Sequence, residues 1–194
     1  MDTLDALRAD AHRHCGKFGW LPFFKSVVFS RTFAVVLTIR LCQGAANSQG
    51  INRLLLPFFQ VMHRFATDRA AMDFPWRTKV GPGLMLTHGW GLVINPGARI
   101  GSNVTLYHGV TLGQRDRISR EGVRSTEFPV LEDDVWVGPH ALIIGGVVVG
   151  RGSRIAGGAV LRDSVPPYSV VMGNPASIVK SNCIPDVMNR APLG

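Results

Sequence analysis

A row of aliphatic residues returns at every sixth position between Leu131 and Leu161, and this spacing limits the possible folds more than any other feature. A second row, of small or aliphatic residues, follows four positions later and keeps the same phase. An α-helix repeats about every 3.6 residues and a strand about every two, so neither element produces this spacing. A glycine-rich antiparallel sheet would need both rows to stay in phase by accident. The rows therefore predict a β-helix of hexapeptide repeats. They are Leu131, Val137, Ile143, Val149, Ile155 and Leu161, followed by Val135, Ala141, Val147, Ser153, Ala159 and Val165.

The six-residue pattern also extends towards the N-terminus, but there it is interrupted twice. Its phase slips by two residues after Leu92, and the polar segment 114–129 lies outside the repeat. We interpret this segment as a loop that projects from the β-helix, a common location for ligand contacts. With three hexapeptides in each coil, the pattern predicts about five coils. The earlier repeat positions are Val80, Leu86 and Leu92, then Ile94, Ile100, Leu106 and Leu112.

Helical patterning ends at Asp73, which suggests a domain boundary. Residues 1–72 are predicted to form a small α-helical domain, and residues 73–180 the β-helix with its projecting loop. Residues 181–194 are interpreted as a flexible tail. Within the first domain we predict a short N-terminal helix followed by helices at Phe23–Cys42 and Ile51–Ala70. Their wide apolar faces suggest contact with a partner or another subunit.

The composition limits the partners. Net charge is +8, but the basic residues are scattered and no nucleic-acid motif accompanies them. A coenzyme that bears phosphates, or an anionic membrane surface, therefore fits better than nucleic acid. Three widely spaced cysteines and an N-terminus without the charged region of a secretion signal predict a cytoplasmic protein. The apolar stretch 27–41 contains two arginines and is too short to span a bilayer, which leaves peripheral contact through the helices.

Histidines in the first coils are candidates for general-base chemistry. His88 and His108 each precede a glycine in the repeats, and imidazole titrates near neutral pH. Asp73 lies fifteen residues before His88, a little less than one coil, so the two residues could meet within or across subunits. A carboxylate in that place would orient the imidazole. Most histidines in repeats are structural, so the spacing alone leaves a catalytic role open.

Three stretches carry a family resemblance: residues 83–94, residues 104–113 and residues 165–176. Together with the hexapeptides between them, they resemble the serine acetyltransferase branch of the hexapeptide-repeat acyltransferases over about residues 73–180. Within that branch the chain is most similar to exopolysaccharide members such as the colanic acid acetyltransferases, which share the His-Gly-aromatic and His-Gly-Val-Thr stretches.

The resemblance implies a left-handed parallel β-helix, a homotrimer that could pair into a dimer of trimers, acetyl-CoA as donor and no metal. His88 corresponds to the family's catalytic histidine and Asp73 to its acidic partner. His88 would then take the proton from an acceptor hydroxyl that attacks the thioester. The positions implied to bind CoA are Gly113, Gly138, Ala156, Gly157 and Gly158, with Lys180 available to its phosphates.

Two departures from the family bear on the acceptor. Thr87 stands where serine acetyltransferases have Asp, and Glu127-Phe128 stands where they have Arg-His. Because Glu127 would repel the carboxylate of serine, we expect a sugar hydroxyl as acceptor, in exopolysaccharide biosynthesis. The alternatives are a serine O-acetyltransferase with a rearranged pocket and an inactive trimeric scaffold. The expected acceptor-binding residues are Thr87, Trp90, His108, Glu127 and Phe128, with Trp90 stacked on a sugar ring.

Overall fold

The structure is a computed structural model that describes residues 2–16 and 19–193. Residues 1 and 194, the outer limits of the predicted domains, lie outside these ranges. The described part begins with helices and continues as short strands. The helices are α1 (Thr3–Cys15), α2 (Trp20–Phe29), α3 (Arg31–Asn47), α4 (Ile51–Leu54) and α5 (Leu56–Ala70).

The strands follow from residue 79 onwards, and most contain only two or three residues. They are β1 (Lys79–Val80), β2 (Met85–Thr87), β3 (Val93–Ile94), β4 (Arg99–Ile100), β5 (Thr105–Tyr107), β6 (Thr111–Gly113), β7 (Arg115–Ile118), β8 (Arg124–Glu127), β9 (Val130–Leu131), β10 (Trp136–Val137), β11 (Leu142–Ile144), β12 (Val148–Val149), β13 (Arg154–Ile155), β14 (Val160–Leu161), β15 (Val170–Met172) and β16 (Ser177–Lys180).

These strands form a β-helix, as the repeat predicts. Three sheets run along its length, in the orders β1-β4-β9-β12, β16-β15-β13-β10-β5-β2 and β14-β11-β6-β3. Trp136 pairs in parallel with Arg154, and Leu142 with Val160, so paired residues are eighteen positions apart. Eighteen residues correspond to three hexapeptides, one for each sheet. The fold is therefore a β-helix of stacked three-strand coils preceded by helices.

Both six-residue rows lie inside the coils. Leu131, Val137 and Ile143 are each at most 1% exposed, and the other members of both rows are also buried. Burying one such aliphatic side chain stabilises a fold by about 1.5–3 kcal/mol. Ser153, the polar member, donates to the carbonyl of Pro166 and accepts from the Ser169 amide, so its hydroxyl is satisfied in the interior.

The slip in phase corresponds to a widened corner of the first coil. Thr87 pairs with Tyr107 and Val93 with Thr111, so six positions in the first coil face four in the next. The two extra residues lie in the turn at 88–91. His88 in this turn has a φ of 63°, and Gly89 and Gly91 also have positive φ. Glycine adopts this conformation readily, whereas it is uncommon for histidine.

The helices differ from prediction at two breaks. The single helix predicted for Phe23–Cys42 is two helices, α2 and α3, whose axes differ by 105°. Ser30 causes the break, because its backbone is extended and its hydroxyl accepts from the amide of Phe33 at 3.2 Å, capping α3. The helix predicted for Ile51–Ala70 breaks at Leu55, and Pro57 in the first turn of α5 suits a helix start.

Buried polar side chains fasten the helices to the first coils. The Asp10 carboxylate of α1 accepts from the amides of Gly83 and Leu84 at 2.8 and 2.9 Å and pairs with Arg40 of α3 at 2.8 Å. Arg40 also donates to the carbonyl of Gly81 at 2.6 Å. These bonds satisfy charges that would otherwise be costly to bury. They fix α3 relative to the β-helix.

Residues 181–193, predicted to form a flexible tail, are mostly exposed and are held to the β-helix by a few contacts. The Cys183 amide donates to the carbonyl of Tyr168 at 2.7 Å, and Arg190 pairs with Asp134 at 2.6 Å. The Ala191 amide donates to the side chain of Asn103 at 3.1 Å. Polar side chains at the coil corners therefore supply the contacts that this segment needs.

The outer faces of α2 and α5 are apolar. Along the described chain, no single helix has both the length and the hydropathy of a membrane span; α2 and α3 meet that test only together, as the bent pair. The exposed apolar residues of these faces are Trp20, Leu21, Phe24, Val28 and Phe29 on α2, and Phe58, Val61 and Phe65 on α5.

Candidate active site

The widened corner after β2 presents His88 to solvent. Its side chain is exposed, and its ring centre lies 5.8 Å from that of His108 and 6.3 Å from that of Tyr107. The turn that carries it is tied back twice, since the Trp90 amide donates to the His88 carbonyl and the Gly91 amide to the Ala71 carbonyl. An exposed imidazole on a fixed turn is suited to exchange protons with a bound hydroxyl.

Histidines follow one another at this corner in successive coils. The ring centres of His108 and His140 are 5.0 Å apart, with the two rings nearly perpendicular. In the part of the chain that the structure describes, Nδ1 of His108 is buried without a hydrogen-bond partner. Stacking of the coils brings these rings together, although His108 and His140 are thirty-two positions apart in the chain.

Asp73 lies on the far side of the same corner. It forms a parallel bridge with Val93, and its amide donates to the Leu92 carbonyl at 2.8 Å. Its carboxylate is exposed, and within the described residues no hydrogen bond or ion pair joins it to His88. Among the described residues, a single chain therefore holds the two predicted partners on either side of one turn without a hydrogen bond or ion pair between them.

A cavity of about 490 Å³ opens beside His88. The Arg31 guanidinium lies 3.7 Å from the Trp90 ring centre and 3.5 Å from the His88 carbonyl oxygen. Trp90, expected to stack on a sugar ring, thus already has a guanidinium on its ring. Neither Arg31 nor Arg69 is among the site residues predicted from the sequence; a local signal lies in Ser30, a helix-capping residue just before Arg31. The cavity is lined by Phe29, Ser30, Arg31, Thr32, Arg69 and His88.

The predicted projecting loop is a β-hairpin formed by β7 and β8, and it neutralises Glu127. Arg115 donates to the Glu127 carboxylate at 2.7 and 3.2 Å, and Arg117 lies 3.5 Å from it. The hydrogen bond from Arg115 is the main cause that lowers the pKa of Glu127. Glu127 therefore does not present an uncompensated charge. Phe128 lies against the backbone of Gly97, where it leaves no room for another side chain.

The residues predicted to bind CoA lie mostly at one corner of two later coils. The amides of Gly138, Ala156 and Gly158 donate to carbonyls of neighbouring coils at 2.8 Å each. The Gly157 amide makes no backbone bond among the described residues, and a side chain added at Gly138 would come within 2.7 Å of its nitrogen. Within the described chain, the Gly157 N–H group at this corner is therefore left without a backbone acceptor.

The remaining predicted residues lie outside these two turns. Gly113 ends β6 in a different sheet from β10 and β13. Lys180 is exposed at the end of β16, paired with Val170. Thr87, also predicted to contact the acceptor, ends β2 immediately before His88. No group of three or more His, Cys, Asp or Glu side chains that could hold a metal ion occurs in the described ranges.

Comparisons with known proteins agree on one family. Residues 128–163 match the model of the bacterial transferase hexapeptide (six repeats). The serine acetyltransferase of Bacillus licheniformis is 38% identical over 104 residues, which cover 54% of this chain and 46% of that protein. The serine acetyltransferase of Bacillus subtilis is 37% identical over 103 residues, covering 53% and 45%. The chain thus matches less than half the length of these curated relatives.

Solved structures give a longer match. Serine acetyltransferase from Brucella abortus strain S19 superposes with a TM-score of 0.69 at 28% identity, covering 91% of this chain and 68% of that one. The same enzyme in complex with coenzyme A gives a TM-score of 0.72 at 27% identity, covering 92% and 68%. The helices and the β-helix therefore both have counterparts in these structures.

These findings overturn the expectation of a sugar acceptor in exopolysaccharide biosynthesis. The curated relatives, at 37–38% identity, are serine acetyltransferases, and they support the alternative that the sequence analysis named. The expectation was wrong because it treated Glu127 as a free charge, whereas Arg115 and Arg117 neutralise it. In its repeats and in its fold, this chain resembles the serine acetyltransferases of the hexapeptide-repeat transferases.

Proposed function

We propose that this protein is an acetyl-CoA-dependent serine O-acetyltransferase. The observation that carries the proposal is His88, an exposed imidazole on the widened corner of a β-helix similar to serine acetyltransferases. One of those relatives was solved with coenzyme A, which supports acetyl-CoA as the donor. The neutralised Glu127 removes the physical objection to serine as acceptor.

In the proposed reaction His88 acts as the general base. It accepts the hydroxyl proton of serine while the hydroxyl oxygen attacks the thioester carbon of acetyl-CoA. The C–S bond then breaks, and the proton passes from the imidazolium to the leaving thiolate. Asp73 is proposed as the carboxylate that orients His88; such contacts often tighten only when substrates are bound.

The donor is proposed to lie along the later coils. The free N–H group of Gly157 can donate to an acceptor of the pantetheine arm, since a peptide N–H without a partner favours a ligand carbonyl. Glycine at 138 keeps this corner open, because a side chain there would reach the Gly157 nitrogen. Lys180 is proposed to contact the phosphates of CoA.

The finer features of the assembly are proposals as well. The resemblance supports a left-handed β-helix, an exception to the right-handed rule for strand crossovers, and a homotrimer with sites between subunits. The exposed apolar faces of α2 and α5 suit contact with a second trimer or with a membrane surface. A cytoplasmic location stays a prediction.

A thiol-release assay tests the proposed function. Purified protein is incubated with acetyl-CoA and L-serine. Release of the free CoA thiol is measured with a colorimetric thiol reagent, and O-acetylserine is identified by mass spectrometry. We expect serine-dependent release, and a loss of about 100-fold or more in kcat for His88→Ala, because general-base catalysis contributes about 10²–10⁴-fold. His12→Ala, a histidine of α1 that does not line the cavity, is the matched control. Thiol release that is independent of serine, or unchanged in His88→Ala, would contradict the proposal.

A further inference from the structure

We propose that Arg31 and Arg69 form the site that recognises the carboxylate of the acceptor, next to His88. This inference rests on the proposed function and names the residues that select its substrate. Both arginines line the cavity that contains His88. The corresponding carboxylate-binding arginine that the resemblance places on the projecting loop is replaced by Glu127 in this chain.

The cavity carries positive charge without a compensating acid. Its described lining residues include two guanidinium groups, two hydroxyl groups and one imidazole, but no carboxylate. Asp68, the nearest acid along the helix, pairs with Arg64 at 3.1 Å. Arg69 has no ion pair among the described residues, so its charge is available to a ligand. An anionic group is the ligand that such a cavity favours.

Arg31 is held in a fixed orientation relative to His88. Its guanidinium lies over the Trp90 ring at 3.7 Å, and one of its nitrogens is 3.5 Å from the His88 carbonyl. A guanidinium that stacks through its face keeps the N–H groups of its edge free, and this planar fork matches a carboxylate. Because Trp90 and His88 belong to the same turn, a carboxylate held by Arg31 would lie at a set distance from the base.

The arginines of the projecting hairpin are not available for the same task. Arg115 donates twice to Glu127, and Arg117 lies within 3.5 Å of that carboxylate. An acceptor carboxylate would have to displace Glu127 from them. Arg31 and Arg69 need no such exchange. The physical difference between the two sites therefore favours the cavity beside His88 for the acceptor and leaves the hairpin with a structural ion pair.

Substrate-deletion kinetics test the assignment. Arg31→Gln and Arg69→Gln are compared with the natural protein for kcat/KM towards L-serine and towards L-serinamide, which lacks the carboxylate charge. We expect the kcat/KM of each variant to fall about 10- to 100-fold with L-serine, as for the loss of a hydrogen bond to a charged group. With L-serinamide, kcat/KM should fall less than about 3-fold. The KM for acetyl-CoA should stay unchanged. Arg53→Gln, at an exposed arginine of α4 that does not line the cavity, is the matched control and should behave as the natural protein.

The outcomes separate this inference from the proposed function. If the natural protein does not acetylate serine, the proposed function fails. If it does, but kcat/KM in both variants falls equally for serine and serinamide, or falls for neither, the carboxylate assignment is overturned. A rise in the KM for acetyl-CoA alone would mean that the cavity holds a CoA phosphate, which also overturns it. Arg69 is exposed on α5, so Arg69→Gln keeps the test valid should Arg31→Gln fold poorly.

Discussion

At the scale of single residues, the region behind the cavity contains a histidine that burial keeps neutral. The His14 ring of α1 lies 5.0 Å from that of Phe33, and its Nε2 is 3.3 Å from the Thr32 hydroxyl. Its Nδ1 is buried without a partner in the described chain. Burial, and then the charge of Arg13, lower the pKa of His14 to about 4.

This lowered pKa predicts acid sensitivity of the fold. The unfolded chain binds a proton at His14 below about pH 6.5, whereas the folded chain binds it only near pH 4, so stability falls as pH drops through this window. The loss can reach about 3 kcal/mol, since each pKa unit corresponds to about 1.4 kcal/mol. Urea unfolding at pH 7.0, about 5.5 and about 4.5 measures it.

The His14→Phe variant isolates the effect, because it keeps an aromatic ring and removes the titration. We expect its free energy of unfolding to depend less on pH than that of the natural protein. Burial also lowers the pKa of His63, and this contribution remains in both proteins. Parallel pH profiles for the two proteins would show that His14 is not responsible.

At the scale of elements, the coils stack closely at the corner that follows β1, β4, β9 and β12, and glycine follows three of these four strands. A side chain at Gly81 would come within 2.6 Å of the Gly101 backbone, and one at Gly101 within 2.7 Å of the Glu132 backbone. Neither glycine has a positive φ, so the constraint is space rather than backbone conformation. The same corner repeats at Gly150, against Pro166 and Pro167.

Gly101→Ala is therefore expected to destabilise the protein by about 3 kcal/mol, because backbone on the next coil cannot move aside as a flexible side chain would. Gly113→Ala is the matched control, since the added methyl group would be 3.7 Å from its nearest neighbour. We expect this variant to be destabilised by less than about 1 kcal/mol. Thermal unfolding measures both effects, because each kcal/mol of destabilisation lowers Tm by about 2–4 °C in a chain of this size. Equal shifts for the two variants would contradict the spatial argument.

At the scale of the whole molecule, the apolar faces of α2 and α5 are left uncovered in a single chain. Phe58 and Phe65 of α5 are 60% and 72% exposed, as would suit an interface. With the proposed homotrimer, the species in solution should have three times the mass of the 21.1 kDa chain, or a multiple of that trimer.

Sedimentation equilibrium tests this assembly. We expect the double variant Phe58→Glu, Phe65→Glu to sediment as a trimer even if the natural protein forms a larger species, because the β-helices and not α5 are proposed to hold the trimer. Val123→Glu on the hairpin, also an exposed apolar position, serves as control. A monomeric natural protein would refute the trimer. Flotation of both proteins with anionic vesicles reports separately on membrane contact.

Part of the site could be predicted from the sequence, and part could not. The resemblance pointed to His88, and the break in the six-residue phase falls at the corner that carries it, because two extra residues in a regular coil form a wider turn. The bend at Ser30 was missed, since the apolar pattern continues across it. The pairing of Glu127 with Arg115 was also missed, because it depends on the register of the hairpin β7–β8.

The sequence by itself determined the β-helix, because each coil repeats the same local contacts and a six-residue period is compatible with few other folds. It also determined which residues point inward, since both rows are buried. Only the tertiary structure decided the surroundings of His88. The 105° bend between α2 and α3 and the end of α5 bring Arg31 and Arg69 to the cavity beside it. The sequence pattern does not predict that these arginines come together, because they belong to elements that are distant in the chain and are fastened to the β-helix by buried charges.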